Sequence, residues 1–541
     1  MLRRFVDYLK INKTYFGLLI FFILIIVLVN PIGEFALNDD WFYAVAVRDF
    51  GWNFRFDPLI TPALIGQILY GTVLIKLFGF SFTILRLSTL VLAVVTMLVL
   101  FKLLKIKGWS IGGALLGVGL IFFNPIFFNL SFTFMTDVPA LSLVIVSLYY
   151  FYQFNQTGKS RFFIFAQLLA FGAGFIRQNY LILPLLSLVL ILTNTRKKDF
   201  KLWLIYGVSL LAGVLLYYFF QSHGWWPQGA VTMHSFNNGR ALLNNALWQG
   251  YYLVGYLALF LSPIIIGGFL AVGNRTRLYL AGAGLLGIGL SLVLYFTKHL
   301  TFPYFRNIIN IYGLGARGAN EVLTGTPTIT INSSVQLWLT ILVGFLVGLA
   351  IGFLIKQIID NRNIKFREID WVTIFLGLNL LAQIAAIMYL VSFDRYYLAP
   401  LVFILLLIPA IKFSRRIVYA SGILLFLMAI YAVVGTYNYL AENKIKWAVA
   451  NTLVAQGALP AEIDAGYEWL GWNTRQLVQK KLPTFTNEKP WYMARIFTDN
   501  TRQYVVNYNS VLTGYNLVSS YSYNKFLFGT GSLYLLKKIE L

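Results

Sequence analysis

The chain has 541 residues, 59% apolar, 17% aromatic and only 12% charged, with a formal net charge of +23 and no cysteine. Its mean hydropathy of +0.72, carried by apolar runs near 20 residues, reads as a polytopic helical membrane protein and excludes an ordinary soluble domain. The absent cysteines exclude disulfides, thiolate metal sites and cysteine nucleophiles, and a nucleic-acid partner is disfavoured because the basic residues sit in short clusters between apolar runs.

In chain order, Arg3, Arg4, Lys10 and Lys13 precede the apolar run Tyr15 to Val29. No small-residue cleavage site follows, so the run is expected to be a retained anchor. Thirteen spans are expected, at about 15–30, 84–104, 110–129, 138–154, 162–176, 180–193, 202–220, 249–272, 277–296, 336–356, 371–391, 396–411 and 417–436. With the N-terminus inside, the cytoplasmic segments hold 22 Lys and Arg residues and the opposite side of the membrane domain holds 10, although its loops are longer. That bias orients the chain with its N-terminus in the cytoplasm and its C-terminus outside a plasma (inner) membrane. Segments 31–83, 221–248 and 297–335 then become outer loops.

The first outer loop is expected to carry two helices lying along the membrane surface. The first begins at Asp39-Asp40, and the second lies within Thr61 to Phe80, an apolar stretch interrupted by Gln67, Gly71 and Lys76. After the last span, residues 437–457 continue as helix. Short β-rich pieces such as Gln503 to Tyr508 and Ser532 to Leu536 then follow. The expected fold is an all-α polytopic membrane domain over 1–439 and a small mixed α/β extracytoplasmic domain over 440–541.

The residues that could carry chemistry collect at the outer ends of spans. Asp39 and Asp40 follow Asn38, a good N-cap, and acids in a first helical turn also complement the helix dipole. Asp137 lies in a short turn just before Pro139, where N-capping is again the bland reading. A carboxylate so near the apolar level nevertheless asks for a function. Arg177 and Arg395 occupy other connections on the same side. Each could be an interfacial snorkelling arginine, and Asp394 is a ready partner for Arg395. Each could equally offer a planar fork to a phosphate. Carboxylates suit removal of a proton from an acceptor hydroxyl, and arginines suit stabilisation of a departing phosphate. A transporter would place its polar groups near mid-membrane in broken helices. The three histidines, His223, His234 and His299, are scattered and form no metal signature. No cofactor is demanded, although a carboxylate-and-water divalent metal site on Asp39, Asp40 or Asp137 stays open.

Several short motifs, in order, give the chain a family likeness. Asp39-Asp40-Trp41-Phe42-Tyr43-Ala44, Leu77-Phe78-Gly79 with Arg86, Thr136-Asp137-Val138-Pro139, Arg177-Gln178 and Arg395-Tyr396-Tyr397-Leu398-Ala399-Pro400 resemble the GT-C type membrane glycosyltransferases. These are the broad family of protein O-mannosyltransferases and bacterial aminoarabinose transferases. The tail segment Ile463 to Trp472 resembles a stretch of uncharacterised bacterial members. The resemblance implies a polyprenyl-phosphate-linked sugar donor and an inverting transfer at the outer face to a lipid, glycan or protein acceptor. It further implies Asp39 as general base, with Asp40 and Asp137 as further catalytic candidates and Arg177, Arg395 and Tyr43 as substrate-binding residues. The rival expectations are a transporter or flippase of a lipid-linked sugar, and a glycan polymerase or ligase using a pyrophosphate-linked donor.

Overall fold

The computed structural model describes residues 2–53, 65–192, 200–223, 239–304, 307–317, 324–327, 330–360, 370–389, 393–409, 415–473, 502–527 and 529–539. His234 and parts of the expected outer loops lie outside these residues. The chain is built on helices α1 (Leu2–Val29), α2 (Asp40–Asn53), α3 (Ile65–Phe78), α4 (Phe82–Ile106), α5 (Ile111–Phe122), α6 (Pro125–Ser131), α7 (Asp137–Thr157), α8 (Ser160–Ile176), α9 (Ile182–Leu186) and α10 (Leu188–Leu192). These are followed by α11 (Phe200–Ser222), α12 (Gly239–Phe260), α13 (Ser262–Ala271), α14 (Asn274–Lys298), α15 (Ser333–Asp360), α16 (Trp371–Tyr389), α17 (Leu398–Leu407) and α18 (Arg415–Ala455).

Among the described residues eight helices are long and apolar enough to cross a membrane, or ten if two bent pairs each count as one span. The bends have local causes. The pair α5 and α6 turns by 66° at Asn124-Pro125, where the Asn124 carbonyl oxygen of the side chain accepts the N–H groups of Ile126 and Phe127. The pair α12 and α13 turns by 64° just before Pro263, which donates no hydrogen bond to the helix. Three of the thirteen expected spans coincide with shorter or interrupted helices, namely α8, the 178–192 segment and α17. The long outer helices α11, α14 and α15 leave apolar side chains such as Leu211, Leu286 and Leu354 exposed, a surface that only lipid would cover without penalty. The chain is a multi-pass membrane protein.

Both helices expected in the first loop are present, as α2 and α3, and α2 begins at Asp40. What leads into α2 is pinned by α4. Arg86, almost fully buried, donates from Nη1 to the carbonyl oxygens of Pro31 (2.6 Å) and Gly33 (3.3 Å). Its Nη2 donates to that of Phe35 (2.6 Å), and the guanidinium lies over the Phe35 ring. Glu34 accepts from the Phe82 N–H and the Ser81 hydroxyl at the start of α4. The matching of Arg86 to a family motif therefore marks a scaffold residue, which holds the strand of chain before the acidic turn.

The final membrane helix does not stop at the bilayer. α18 is 41 residues long, about 60 Å at 1.5 Å per residue, roughly twice the thickness of a hydrocarbon core. It runs unbroken through position 439 and carries the tail. Two short strands, β1 (Ile309–Asn310) and β2 (Gly313–Leu314), pair in the 297–335 segment. The tail forms a four-stranded sheet from β3 (Ile463–Asp464), β4 (Tyr504–Asn507), β5 (Tyr515–Asn524) and β6 (Thr530–Lys538), in the order β3-β4-β6-β5. β3 runs parallel to β4, and the other pairings are antiparallel.

A buried polar network joins sheet, α18 and loop. Glu442 on α18 faces Arg317 at 3.3 Å and accepts from the Tyr508 hydroxyl at 2.5 Å, while Lys446 donates to that same hydroxyl oxygen at 2.7 Å. With Arg317 and Lys446 both drawn to the one carboxylate of Glu442, the tail is held against the helical body by directional bonds as well as by apolar contact.

Candidate active site

The acidic turn separates its two carboxylates. Asp40 is 2% exposed and points inward, where it accepts the Leu37 N–H at 2.7 Å and, across the fold, the Phe134 N–H at 3.3 Å. Burial pushes its carboxyl up to about 7, against the pull of Arg86 and of those two amides. Asp39 faces the other way with 29% of its side chain exposed. Its Oδ1 accepts from the Tyr467 hydroxyl at 3.0 Å, and its Oδ2 lies 3.6 Å from Arg395 Nη1.

The expected cap is not formed. Asn38 sits in the left-handed region at φ 56°, a conformation that asparagine tolerates better than most residues. Its N–H donates to Glu468 Oε1 at 2.9 Å and its side-chain amide to Asn307 at 3.2 Å. The residue therefore ties the turn to two distant segments instead of closing the helix end. Asp137 likewise leaves the end of α7 uncapped. It is drawn off by Arg177, whose Nη1 lies 2.5 Å from Asp137 Oδ1 and 3.3 Å from the Thr136 hydroxyl. Its second oxygen, Oδ2, is buried with no hydrogen-bond partner among the described residues.

Arg177 follows α8 in extended backbone, which turns its side chain back over α7. Its guanidinium lies 4.6 Å from the centre of the Tyr396 ring. Arg395 approaches that ring and Phe393 at 5.8 Å and 5.1 Å. The two arginines thus flank one aromatic residue. Among the described residues Asp394 makes no close side-chain ion pair with Arg395, although the charge and the backbone N–H of Arg395 both act on its carboxyl. Asp394 accepts the N–H groups of Ile308 (3.0 Å) and Ile309 (2.7 Å), and its carboxyl is pushed up to about 7 by burial despite those bonds. Arg395 is left turned toward Asp39. It is 7% exposed, and its Nε and Nη1 are buried without hydrogen-bond partners among the described residues. Burial alone would weaken its charge, but Asp137 and Asp39 nearby hold it firmly protonated.

Tyr43, one turn into α2, is 4% exposed, and burial pushes its hydroxyl up to about 12. Arg395, Asp39, Asp137 and Arg177 all act on it electrostatically, so it stands among the four charged groups. The six residues singled out from sequence therefore collect in one region, with Asp40 facing away from the exposed side. Tyr467 and Glu468 were not singled out. Their only trace in the sequence is an aromatic and an acid within the Ile463 to Trp472 segment. Of the histidines, His223 is exposed beside Ser222 and His299 ends α14.

A metal fits poorly here. Asp40 is held by backbone amides, Asp137 by Arg177 and Asp39 by Tyr467 and Arg395. Among the described residues no three His, Cys, Asp or Glu side chains converge on a point that could hold an ion. Beside the polar cluster, an apolar cavity of about 300 Å3 opens between α3, α4, α7, α8 and α11. Its lining includes Tyr70, Pro139, Phe175 and Ile176, the last three within two residues of Asp137 or Arg177.

The buried acids set a pH dependence. Because the folded carboxyl of Asp40 lies near 7 and an unfolded aspartate near 3.8, the folded state holds more protons between those limits. The contribution to stability is complete below about 4 and is lost as the pH rises through about 7. Asp394 acts in the same sense. Asp40→Asn is expected to flatten this fall, as read from thermal unfolding in detergent between pH 4 and 8. A variant profile parallel to that of the wild type would refute the assignment.

Residues 69–221 match the family model described as dolichyl-phosphate-mannose-protein mannosyltransferase, a stretch that contains Asp137 and Arg177 but neither Asp39 nor Arg395. Among solved structures the chain is similar to ArnT from Cupriavidus metallidurans bound to undecaprenyl phosphate, with 11% identity, a TM-score of 0.41 and coverage of 98% of this chain and 97% of that one. It is also similar to ArnT from the same organism in the apo state, with 13% identity, a TM-score of 0.39 and coverage of 96% and 98%. No curated protein matches the chain in sequence. The chain resembles the GT-C type membrane glycosyltransferases.

Proposed function

We propose that this chain transfers a sugar from a polyprenyl-phosphate donor to an acceptor hydroxyl at the outer face of a plasma (inner) membrane, with inversion. The site lies in a membrane domain spanning 1–439, and residues 440–541 stand outside the bilayer. The observation that carries this reading is Arg395, a buried guanidinium facing the half-open Asp39 carboxylate while its Nε and Nη1 have no hydrogen-bond partner among the described residues. Such a group is built to receive an anion beside a base. The match to a mannosyltransferase family over 69–221 supports the same chemistry.

In the proposed reaction Asp39 takes the proton of the acceptor hydroxyl as its oxygen attacks the anomeric carbon. The bond from that carbon to the phosphate oxygen breaks on the opposite face, and its electron pair leaves with the lipid phosphate. Arg395, with Arg177 beside it, stabilises the charge of the departing group. Tyr43 lines the space between base and arginines. The apolar cavity bounded by Pro139, Phe175 and Ile176 suits the hydrocarbon next to the phosphate. No step is routed through a metal.

The test uses purified protein in vesicles with a synthetic polyprenyl-phosphate sugar and candidate lipid, glycan and protein acceptors. Glycoside and free polyprenyl phosphate released in equal amounts support the proposal. Translocation of intact donor without cleavage would assign the chain to transport instead.

A further inference from the structure

The segment that grips the acidic turn comes from the far end of the chain. Tyr467 and Glu468 are consecutive residues of a short helical stretch, 467–473, and they bind the consecutive residues Asp39 and Asn38. The Tyr467 hydroxyl donates to Asp39 Oδ1 at 3.0 Å. Glu468 Oε1 accepts the Asn38 N–H at 2.9 Å and the hydroxyl of Tyr439, on α18, at 3.3 Å. The rest of the stretch clamps the start of α2. The Tyr467 ring meets Trp41 edge-on at 5.7 Å. Gly471 lies so close on the Trp41 indole that a methyl group there would collide with it. Trp472 carries the Arg48 guanidinium at 4.5 Å and stacks on Phe80 at 5.3 Å.

From this juxtaposition we infer that Tyr467 is a positioning residue for the reaction, acting through Asp39, and that the C-terminal segment is part of the catalytic centre. The inference rests on the glycosyl-transfer reading of the site. A carboxylate with neither oxygen hydrogen-bonded can swing about its side-chain torsions, which have broad wells. Here Oδ1 is held by the phenol while Oδ2 faces Arg395, so the oxygen that remains open is directed toward the place where a phosphate-linked sugar would lie. Burial, with Asp39 and Glu468 beside it, keeps the phenol protonated, so it serves as donor and does not compete as base. Correct placement of a reacting group is worth a large part of an enzymatic rate, and small misplacements are costly.

Tyr467→Phe tests the idea because it removes one oxygen and keeps the ring on Trp41. In the vesicle assay above, at saturating acceptor, kcat is expected to fall by about 10- to 100-fold, the range for a hydrogen bond to a charged group. Donor KM and the thermal unfolding midpoint should be nearly unchanged. A variant with wild-type kcat overturns the inference, as does one whose loss appears in donor KM. A fall in kcat matched by a lower unfolding midpoint also overturns it, since that is the signature of a merely structural contact. Failure of the wild type to transfer any sugar would instead strike the glycosyl-transfer reading, and this role with it.

Discussion

Asp39→Asn is expected to abolish sugar transfer while leaving a folded, membrane-inserted protein. Asparagine has nearly the same shape, and its carbonyl oxygen can still accept from the Tyr467 hydroxyl, so the turn should keep its position. What it cannot do is take a proton. General-base catalysis contributes ~10²–10⁴-fold, and loss of the base should lower product formation by at least that much. The side chain is 29% exposed, so its neutralisation leaves no buried charge stranded at Asp39 itself. The measurement is product formation from a synthetic donor, paired with thermal unfolding to show that the fold persists. Near-normal transfer by this variant would sink the assignment of the base. Asp40 provides the contrast within one turn. Its oxygens are committed to the Leu37 and Phe134 amides, so its place in the proposed chemistry is to hold the turn.

Arg395→Gln is expected to produce the second large loss. The arginine is buried, close to Asp39 and flanked by Phe393 and Tyr396, and its charge would fall on the phosphate oxygens as the bond to the sugar breaks. Removing one donor of this kind typically costs ~10²–10³-fold in turnover. Lysine should restore only part of it, because an ammonium cannot present the planar two-point fork of a guanidinium. Arg177 is the less revealing target. Its Nη1 is 2.5 Å from a nearly buried Asp137, and deleting it would strand that carboxylate, so loss of stability would mix with loss of function. Turnover and donor KM measured for Arg395→Gln separate the possibilities, and donor kinetics equal to wild type would remove Arg395 from the phosphate site.

These two predictions rest on different kinds of information. That Asp39 or Asp40 matters was legible in the chain, because two adjacent carboxylates stand ahead of an aromatic-rich helix in a protein that is 59% apolar. Which of the two is open to substrate was not legible. The answer depends on the Phe134 N–H, 94 residues away in sequence, and on Tyr467, 428 residues away. The bland readings failed for the same reason. Asn38 and Asp137 are good capping residues by local preference, but Asn38 takes a left-handed backbone and gives its side-chain amide to Asn307, and Asp137 pairs with Arg177. Asp394 lies next to Arg395 in sequence yet is claimed by the backbone of Ile308 and Ile309.

The helices divide along the same line. Apolar runs of membrane length are a local property, so each of the thirteen expected spans coincides with helical structure, and helices stand at both places expected in the first loop, as α2 and α3. How those runs bend and how far they reach is decided by neighbours and by single residues. The turns at Asn124-Pro125 and before Pro263 divide two of them, and others are too short to cross unaided. By itself, then, the sequence determined a multi-pass helical protein, a small mixed tail and a set of ionisable residues at the ends of apolar runs, all of which follow from composition and short-range pattern, while the likeness to glycosyltransferases rests on the resemblance of short motifs. Only the tertiary structure decided that Asp39 and Asp40 face opposite ways, that Asp137 belongs to Arg177, that Arg395 turns to Asp39, and that residues 467 and 468 close on the acidic turn. Hydrogen bonds and ion pairs select partners by distance in space, and a sequence records distance only along the chain.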